Sequence, residues 1–380
     1  MLLSSKPASR RLFPLGTTRP TQSKKADNIR QPDTTPIASS ANSDQSGGMP
    51  TPAVEREILW DYARGIGILL VVYGHVLRGL DSADIIPPGH PIMASDYAIY
   101  TFHMPLFFLL AGMNIEKGLA RGGFLRGKLT TIVYPYLLWT LLQGLVQIAM
   151  AGSANKPFHL SDLAEAMLWQ PLGQFWFLYA LFLCHVFAFL TNANRYRITL
   201  FALLAYGAGQ YFDWGMLTLS FQFFLYYAVG LLTAGHLKPF IERSANPAGM
   251  LATFAGTAIA IYLAKQWGDV QAISALPAAF LGMLLVLQVS ALLARSRKQL
   301  NWLRLLGLAS MPIYLAHILA ASGTRIVLAK LGITDIGTHL VLGCLLGIAF
   351  PLTLLYGAYR IGQERLAGFT SGAAVFGARA

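Results

Sequence analysis

Charge is scarce in this chain, cysteine nearly absent, and the usual marks of a soluble enzyme are missing. Of 380 residues only 12% are Asp, Glu, Lys or Arg, about half the roughly 25% of a soluble globular domain. That shortage excludes an ordinary cytosolic enzyme, and a 55% hydrophobic content excludes disorder as the main state. The two cysteines, Cys184 and Cys344, both sit in apolar stretches, which argues against a disulfide framework and against a cysteine metal site. There is no zinc-ligand spacing, no Walker loop and no GxGxxG motif opening a helix, so no metal and no nucleotide fold is expected.

What fills the chain instead is apolar. Residues 1–57 are a separate zone, rich in Ser, Thr, Pro, Gln and Ala, with eight Lys/Arg and no amphipathic period; they read as a disordered cytoplasmic tail. The zone lacks the apolar core of a secretory signal. From Ile58 onward come ten apolar runs, at about 58–80, 97–115, 130–150, 175–190, 198–212, 216–235, 248–264, 271–294, 305–325 and 338–359. Most are long enough to cross a hydrocarbon core of ~30 Å at ~1.5 Å per residue; the fifth is the shortest. Only helices or closed barrels satisfy the backbone in lipid, and these runs do not alternate as barrel strands do. The expected fold is therefore all-α, a polytopic membrane helical bundle of about ten transmembrane helices over 58–360, with 361–380 as a short cytoplasmic tail.

The net charge of +12 is explained by where the cations fall. With the amino terminus inside, the inner connections 116–128, 191–197, 236–247 and 295–304 hold twelve Lys/Arg. The outer side holds Arg78, Lys156, Lys265, Arg325 and Lys330, and the carboxyl end adds Arg360, Arg365 and Arg379 inside. The positive-inside rule then puts both termini in the cytoplasm, with lipid and not nucleic acid as the partner.

Against this background the first run is anomalous. It reads Trp60-Asp61-Tyr62-Ala63-Arg64-Gly65-Ile66-Gly67, then continues to Gly74-His75. Arg64 lies well inside it, with Asp61 one turn earlier, and a charge at membrane depth is costly. Eleven steps of about 100° bring His75 back to within roughly 20° of Arg64, ~16 Å along the axis. One reading has Arg64 snorkelling to the headgroups with Asp61 as its partner. The other takes the face as a site. Gly65, Gly67 and Gly74 suit close helix packing on either reading. His103 in the second run and His317 in the ninth fall at a depth similar to His75, so three histidines would line one outward-opening cavity, an arrangement suited to general base catalysis. His185 reads as packing, His90, His159 and His339 as loop or interfacial residues, and His236 as solvated. In the basic inner segment, Arg126 and Lys128 serve either as a topology anchor or as a grip on the phosphates of a cytoplasmic donor.

These segments resemble the integral-membrane acyltransferase 3 family. Asp61-x-x-Arg64-Gly65 and Arg64-x10-His75 are similar to its opening. Phe102-His103-Met104-Pro105 through Ala111-Gly112 is similar to its second span, most of all in the polysaccharide O-acetyltransferase (fucose 4-O-acetylase-like) branch, although Ser is commoner there than Ala111. Phe124-Leu125-Arg126-Gly127-Lys128 through Tyr134-Pro135-Tyr136 resembles its basic loop and third span, with fewer basic residues than usual; Trp176 to Leu181 and Ser310 to His317 resemble two later patterns.

The resemblance implies acyl transfer, usually of acetyl, from cytoplasmic acetyl-CoA or another acyl-CoA to a hydroxyl of a polysaccharide or lipid-linked glycan, in a bacterial inner membrane. Arg64 and His75 match the family's catalytic Arg and His. Arg126 and Lys128 would hold the donor. Asp61, His103, Ser310, Tyr314 and His317 would complete the cavity. Trp176 and Tyr179 would either stack on sugar or be ordinary interfacial aromatics. His75 would act as general base on the sugar hydroxyl or briefly carry the acyl group itself. The rival class is a secondary transporter of a sugar or small polar solute. It shares the spans, the histidines and the buried Arg, but it calls for no ordered motifs and no donor loop.

Overall fold

The computed structural model describes residues 58–120, 122–150, 158–369 and 372–376; the expected tail 1–57 lies outside them. All regular structure among the described residues is helical: α1 Ile58–Asp81, α2 Met93–Gly112, α3 Ile115–Leu119, α4 Phe124–Lys128, α5 Tyr134–Ala149, α6 Leu160–Leu168, α7 Trp176–Leu190, α8 Arg195–Tyr211, α9 Met216–Thr233, α10 Leu237–Ser244, α11 Pro247–Trp267, α12 Leu276–Arg295, α13 Asn301–Leu308, α14 Ser310–Lys330, α15 Ile336–Arg360 and α16 Gly372–Phe376. Eight helical stretches among the described residues are long and apolar enough to cross a membrane. The ten expected runs all form helix, but two miss that standard. Helix α8 has only 17 residues, and α2 carries Asp96, His103 and Pro105 in its length.

Two spans are interrupted, each at a residue that breaks the helix ladder. Between α4 and α5 a π turn, Leu129–Val133, precedes Pro135, whose missing N–H and bulky ring disturb the turn before it. The fourth run is longer than its apolar core at 175–190 suggests. It starts at Leu160, and α6 is separated from α7 by a break holding Pro171 and the left-handed Gly173. The ninth span is displaced toward the carboxyl end relative to the run at 305–325. Short α13 ends at Leu308 and α14 continues to Lys330, so Arg325 lies inside a helix and not at its end.

Helix α1 is the centre. It packs against α2, α12, α13, α14 and α15. Of its apolar window 56% is buried, against 17% for α11 and 22% for α15, whose Leu251, Phe254, Ile259, Val341 and Leu345 face outward as a lipid-facing surface would. The arrangement follows from content: a helix carrying Asp61, Arg64 and His75 must be ringed by protein, while one with a long apolar face can turn that face to lipid. After α15 the chain turns back onto α5, where the Leu366 carbonyl accepts from the Tyr134 hydroxyl at 2.7 Å and the Ala367 carbonyl from the Trp139 indole at 3.0 Å.

Glycine sets how closely α1 and α2 are approached. A Cβ on Gly307 would strike the Asp61 carbonyl, and one on Gly65 the Leu303 carbonyl, so α13 and α1 cross backbone to backbone. Gly112 and Gly230 do the same for α2 and α9 through Tyr227 and Leu109. Gly307→Val should lower the thermal midpoint of the detergent-solubilised protein, corresponding to an overpacking cost of about 1–3 kcal/mol. Gly207→Ala, where an added Cβ meets nothing within 4 Å, should leave the midpoint unchanged or raise it. Equal midpoints for the two variants would show that this close crossing is not needed.

Candidate active site

One face of α1 carries Asp61, Arg64, Ile68, Val72 and His75 at three- and four-residue spacing. At one end the Asp61 carboxylate is wholly buried and shared by two cations. Arg64 Nη1 donates to its Oδ1 at 3.2 Å, and Arg304 Nε of α13 lies 3.6 Å from its Oδ2. A carboxylate removed from water needs such partners. Both guanidinium side chains are partly exposed.

One turn along the same face is a narrow apolar cavity of about 60 Å³, lined by Ile68, Met104, Phe107, Phe177, Ser310, Met311 and Tyr314. Ser310 and Tyr314, expected in one cavity with the histidines, line this one, which none of the three histidines does. A polar chain fixes the outer wall across the broken span. The Tyr314 hydroxyl donates to the Gln174 carbonyl. The Gln174 side-chain amide donates to Gln143 Oε1 at 3.0 Å, and Gln143 donates to the Leu315 carbonyl at 2.7 Å.

Beyond it the three predicted histidines converge. The His75 and His317 ring centroids are 5.1 Å apart, and Tyr100 links His75, at 6.2 Å, to His103, at 4.6 Å. His103 and His317 are buried and anchored to their own helices. His103 Nδ1 is 2.8 Å from the Ile99 carbonyl, and His317 Nδ1 is 3.0 and 2.8 Å from those of Ile313 and Tyr314. A ring nitrogen facing a carbonyl carries the proton, so Nε2 of each neutral ring is the bare acceptor. His317 Nε2 has no hydrogen-bond partner among the described residues. His75 alone of the three is partly exposed, opening onto a second cavity of about 20 Å³ lined by His75, Val76, Gly79, Leu80, Ala321, Ser322, Arg325 and His339.

Tyr100 is held from both sides. The Arg78 guanidinium lies 3.2 Å from its ring centroid, a cation–π contact, and is itself clamped by Asp96 through bonds of 2.9, 3.0 and 3.2 Å. Gly74 supplies the space, since a Cβ there would stand 2.8 Å from the Tyr100 ring.

Other predicted residues lie elsewhere. Arg126 is exposed on α4, and Lys128 lies with Nζ 5.2 Å from the Phe124 ring. Neither lines a cavity beside α1. Trp176 is packed among Phe108, Phe177 and Phe223, and Tyr179 beside Tyr136. The fourth span begins at Leu160, so these two aromatics stand at its internal break and not at its outer end, and neither lines either cavity. His185 is a packing residue, between Phe124 and Tyr227. His339, expected as a loop or interfacial residue, stands in the first turn of α15 and is buried there. The sequence reading also missed Arg78, Asp96, Tyr100 and Arg304. Arg78 and Tyr100 do stand three residues from His75 and His103, which is a local signal; Arg304 and His339 have none, because their partners are distant in the chain. Both cysteines are free, and no group of three or more His, Cys, Asp or Glu among the described residues is placed to hold a metal ion.

Comparison with known proteins agrees with this layout. The chain is 29% identical over 158 residues to the nodulation protein NolL of Mesorhizobium japonicum, covering 40% of each chain. It is 31% identical over 144 residues to nodulation protein NolL of Sinorhizobium fredii, covering 36% of this chain and 37% of that one. These matches span about two fifths of the length of those relatives. No solved structure matches. The acyltransferase domain of the acyltransferase 3 family matches residues 58–358, from the start of α1 almost to the end of α15, and so takes in Asp61, the histidine cluster and both cavities. With its ring of apolar helices around a polar first span, the chain is a multi-pass membrane protein that belongs to the acyltransferase 3 family.

Proposed function

We propose that the protein moves an acyl group, acetyl in the simplest case, from cytoplasmic acyl-CoA to a hydroxyl of a cell-surface polysaccharide or lipid-linked glycan, with both termini in the cytoplasm of a bacterium and the bundle in its inner membrane. The observation that carries this is the position of the His75–His317 pair, between an apolar slot that starts near paired arginines and a second cavity whose lining includes Ser322, Arg325 and His339. A donor with a phosphate-rich head and a thin arm fits the first half. Arg64 and Arg304, which both lie against the Asp61 carboxylate, supply guanidinium groups for the head, with Arg126 and Lys128 on the same cytoplasmic side. The slot between Ile68 and Tyr314 has the apolar lining that suits a pantetheine arm.

The reaction then needs one base at the junction. The acceptor oxygen attacks the thioester carbonyl carbon and its proton passes to the bare nitrogen of His75. The carbon–sulfur bond breaks, and CoA leaves as thiolate and takes up a proton. His317, whose Nδ1 proton is committed to backbone carbonyls and whose Nε2 has no partner among the described residues, lies beside His75 and stabilises the imidazolium that forms there. A transporter needs no such base beside a donor slot.

Transfer of label from [14C]acetyl-CoA to glycan, in membranes containing the protein, tests the proposal. His75→Ala should lower kcat by at least about 10²-fold while the protein stays in the membrane. Arg64→Ala should raise KM for acetyl-CoA by about tenfold or more, as loss of a charge-assisted contact does. Normal glycan acetylation by His75→Ala overturns the assignment. Uptake of radiolabelled sugar without acetyl-CoA, with no label passing to glycan, establishes the transporter instead.

A further inference from the structure

The second cavity contains a residue that the acyl-transfer chemistry above leaves unused. His339 is 1% exposed, in the first turn of α15, and lines the same space as His75. Its Nε2 lies 2.8 Å from the Ile333 carbonyl, so Nε2 carries the proton and Nδ1 is the bare acceptor. That Nδ1 is buried and has no hydrogen-bond partner among the described residues. An acceptor atom left so in a closed interior is costly, and such atoms mark places where a ligand completes the bonding. Ser322 and Arg325 line the same space, together with the small Gly79 and Ala321. At about 20 Å³ the space takes one water-sized group and no more. A hydroxyl is of that size; a carboxylate, a phosphate or a sugar ring is not.

Resting on the acyl-transfer reading, we propose that this cavity is the acceptor-hydroxyl subsite, and that His339 is the residue that positions the hydroxyl. Its Nδ1 accepts the hydroxyl's hydrogen bond as the acceptor arrives, and holds the oxygen beside His75. The O–H then rotates from His339 to His75, and its one proton passes to His75 as the oxygen attacks. The rest of the sugar stays outside, so the site selects for a hydroxyl that projects from its ring and rejects one flanked by a bulky substituent. Acceptors are thus polyols of the sugar class, read one hydroxyl at a time.

Two substitutions separate positioning from a purely structural role. Asn places an oxygen near Nδ1 and gives up the Ile333 contact. Gln keeps a donor near Nε2 for Ile333 and gives up the Nδ1 acceptor. Purified protein in proteoliposomes would be assayed with [14C]acetyl-CoA and the methyl glycosides of fucose, galactose and glucose as acceptor probes. For whichever glycoside the wild type acetylates, His339→Gln should raise its KM about 3- to 10-fold, the worth of one neutral hydrogen bond, with KM for acetyl-CoA unmoved. His339→Asn should restore glycoside KM to within about twofold of wild type. The reverse order, with Asn impaired and Gln normal, makes His339 a fastener for the Ile333 turn and overturns the proposal. So does an equal rise in both KM values. If the wild type passes no label to any glycoside or to native glycan, it is the acyl-transfer reading that fails.

Discussion

A carboxylate with no access to water, shared between two guanidinium groups, is the interaction on which the rest of this bundle depends. Asp61 is wholly buried, and it stays so because Arg64 lies one turn away on its own helix while Arg304 arrives on α13. The Arg304 approach needs close packing of α13 on α1, and Gly65 and Gly307 permit it by letting the two helix backbones touch. Once α1 carries this cluster and a histidine as well, it cannot face lipid. The remaining helices are accordingly arranged around it, with α11 and α15, the least buried of the spans, at the periphery.

The site inherits its geometry from that constraint. Helix α1 presents an arginine at one end and a histidine at the other, ~16 Å apart on one face, and the helices packed on it complete the two ends differently. Helix α14 brings Ser310, Tyr314 and His317 along nearly the whole length. Helix α2 brings Met104 and Phe107 to the slot and Tyr100 and His103 to the histidine cluster. The polar chain from Tyr314 through Gln174 and Gln143 to Leu315 ties the break in the fourth span to α14, so that an interrupted helix, elsewhere a weakness in lipid, becomes a wall of the cavity.

His75 differs from its two neighbours in a way that matters for chemistry. His103 and His317 are closed in and spend a nitrogen on backbone carbonyls, which fixes their tautomers and ring orientations. His75 keeps an opening to the second cavity, where His339, Ser322 and Arg325 stand. Among the three clustered histidines, the exposed one is flanked by the fixed ones, which is the arrangement a reactive group needs if it is to meet a substrate without moving.

Much of this was legible along the chain. Apolar runs and scarce charge define a helical membrane protein, because lipid admits little else. The Arg64-to-His75 spacing puts two costly residues on one face, because helix periodicity is local. His103 and His317 joined them because depth in a bilayer can be counted from a span's end. The two interrupted spans were not legible as such, although Pro135, Pro171 and Gly173 stand at the breaks; an apolar count does not register where a helix ladder is cut. What remained hidden has one physical cause. Arg304 on Asp61 and His339 beside His75 are contacts between residues far apart in sequence. Arg78 and Tyr100, although near the histidines, take their meaning from the α1–α2 crossing at Gly74. Likewise Arg126, Lys128, Trp176 and Tyr179 carry the right chemistry in the right order, yet their helices set them away from the α1 face. Sequence by itself determined which residues could not be left in lipid; only the tertiary structure decided which of them meet, because helix crossings, and not spacing along the chain, bring side chains from different spans within reach.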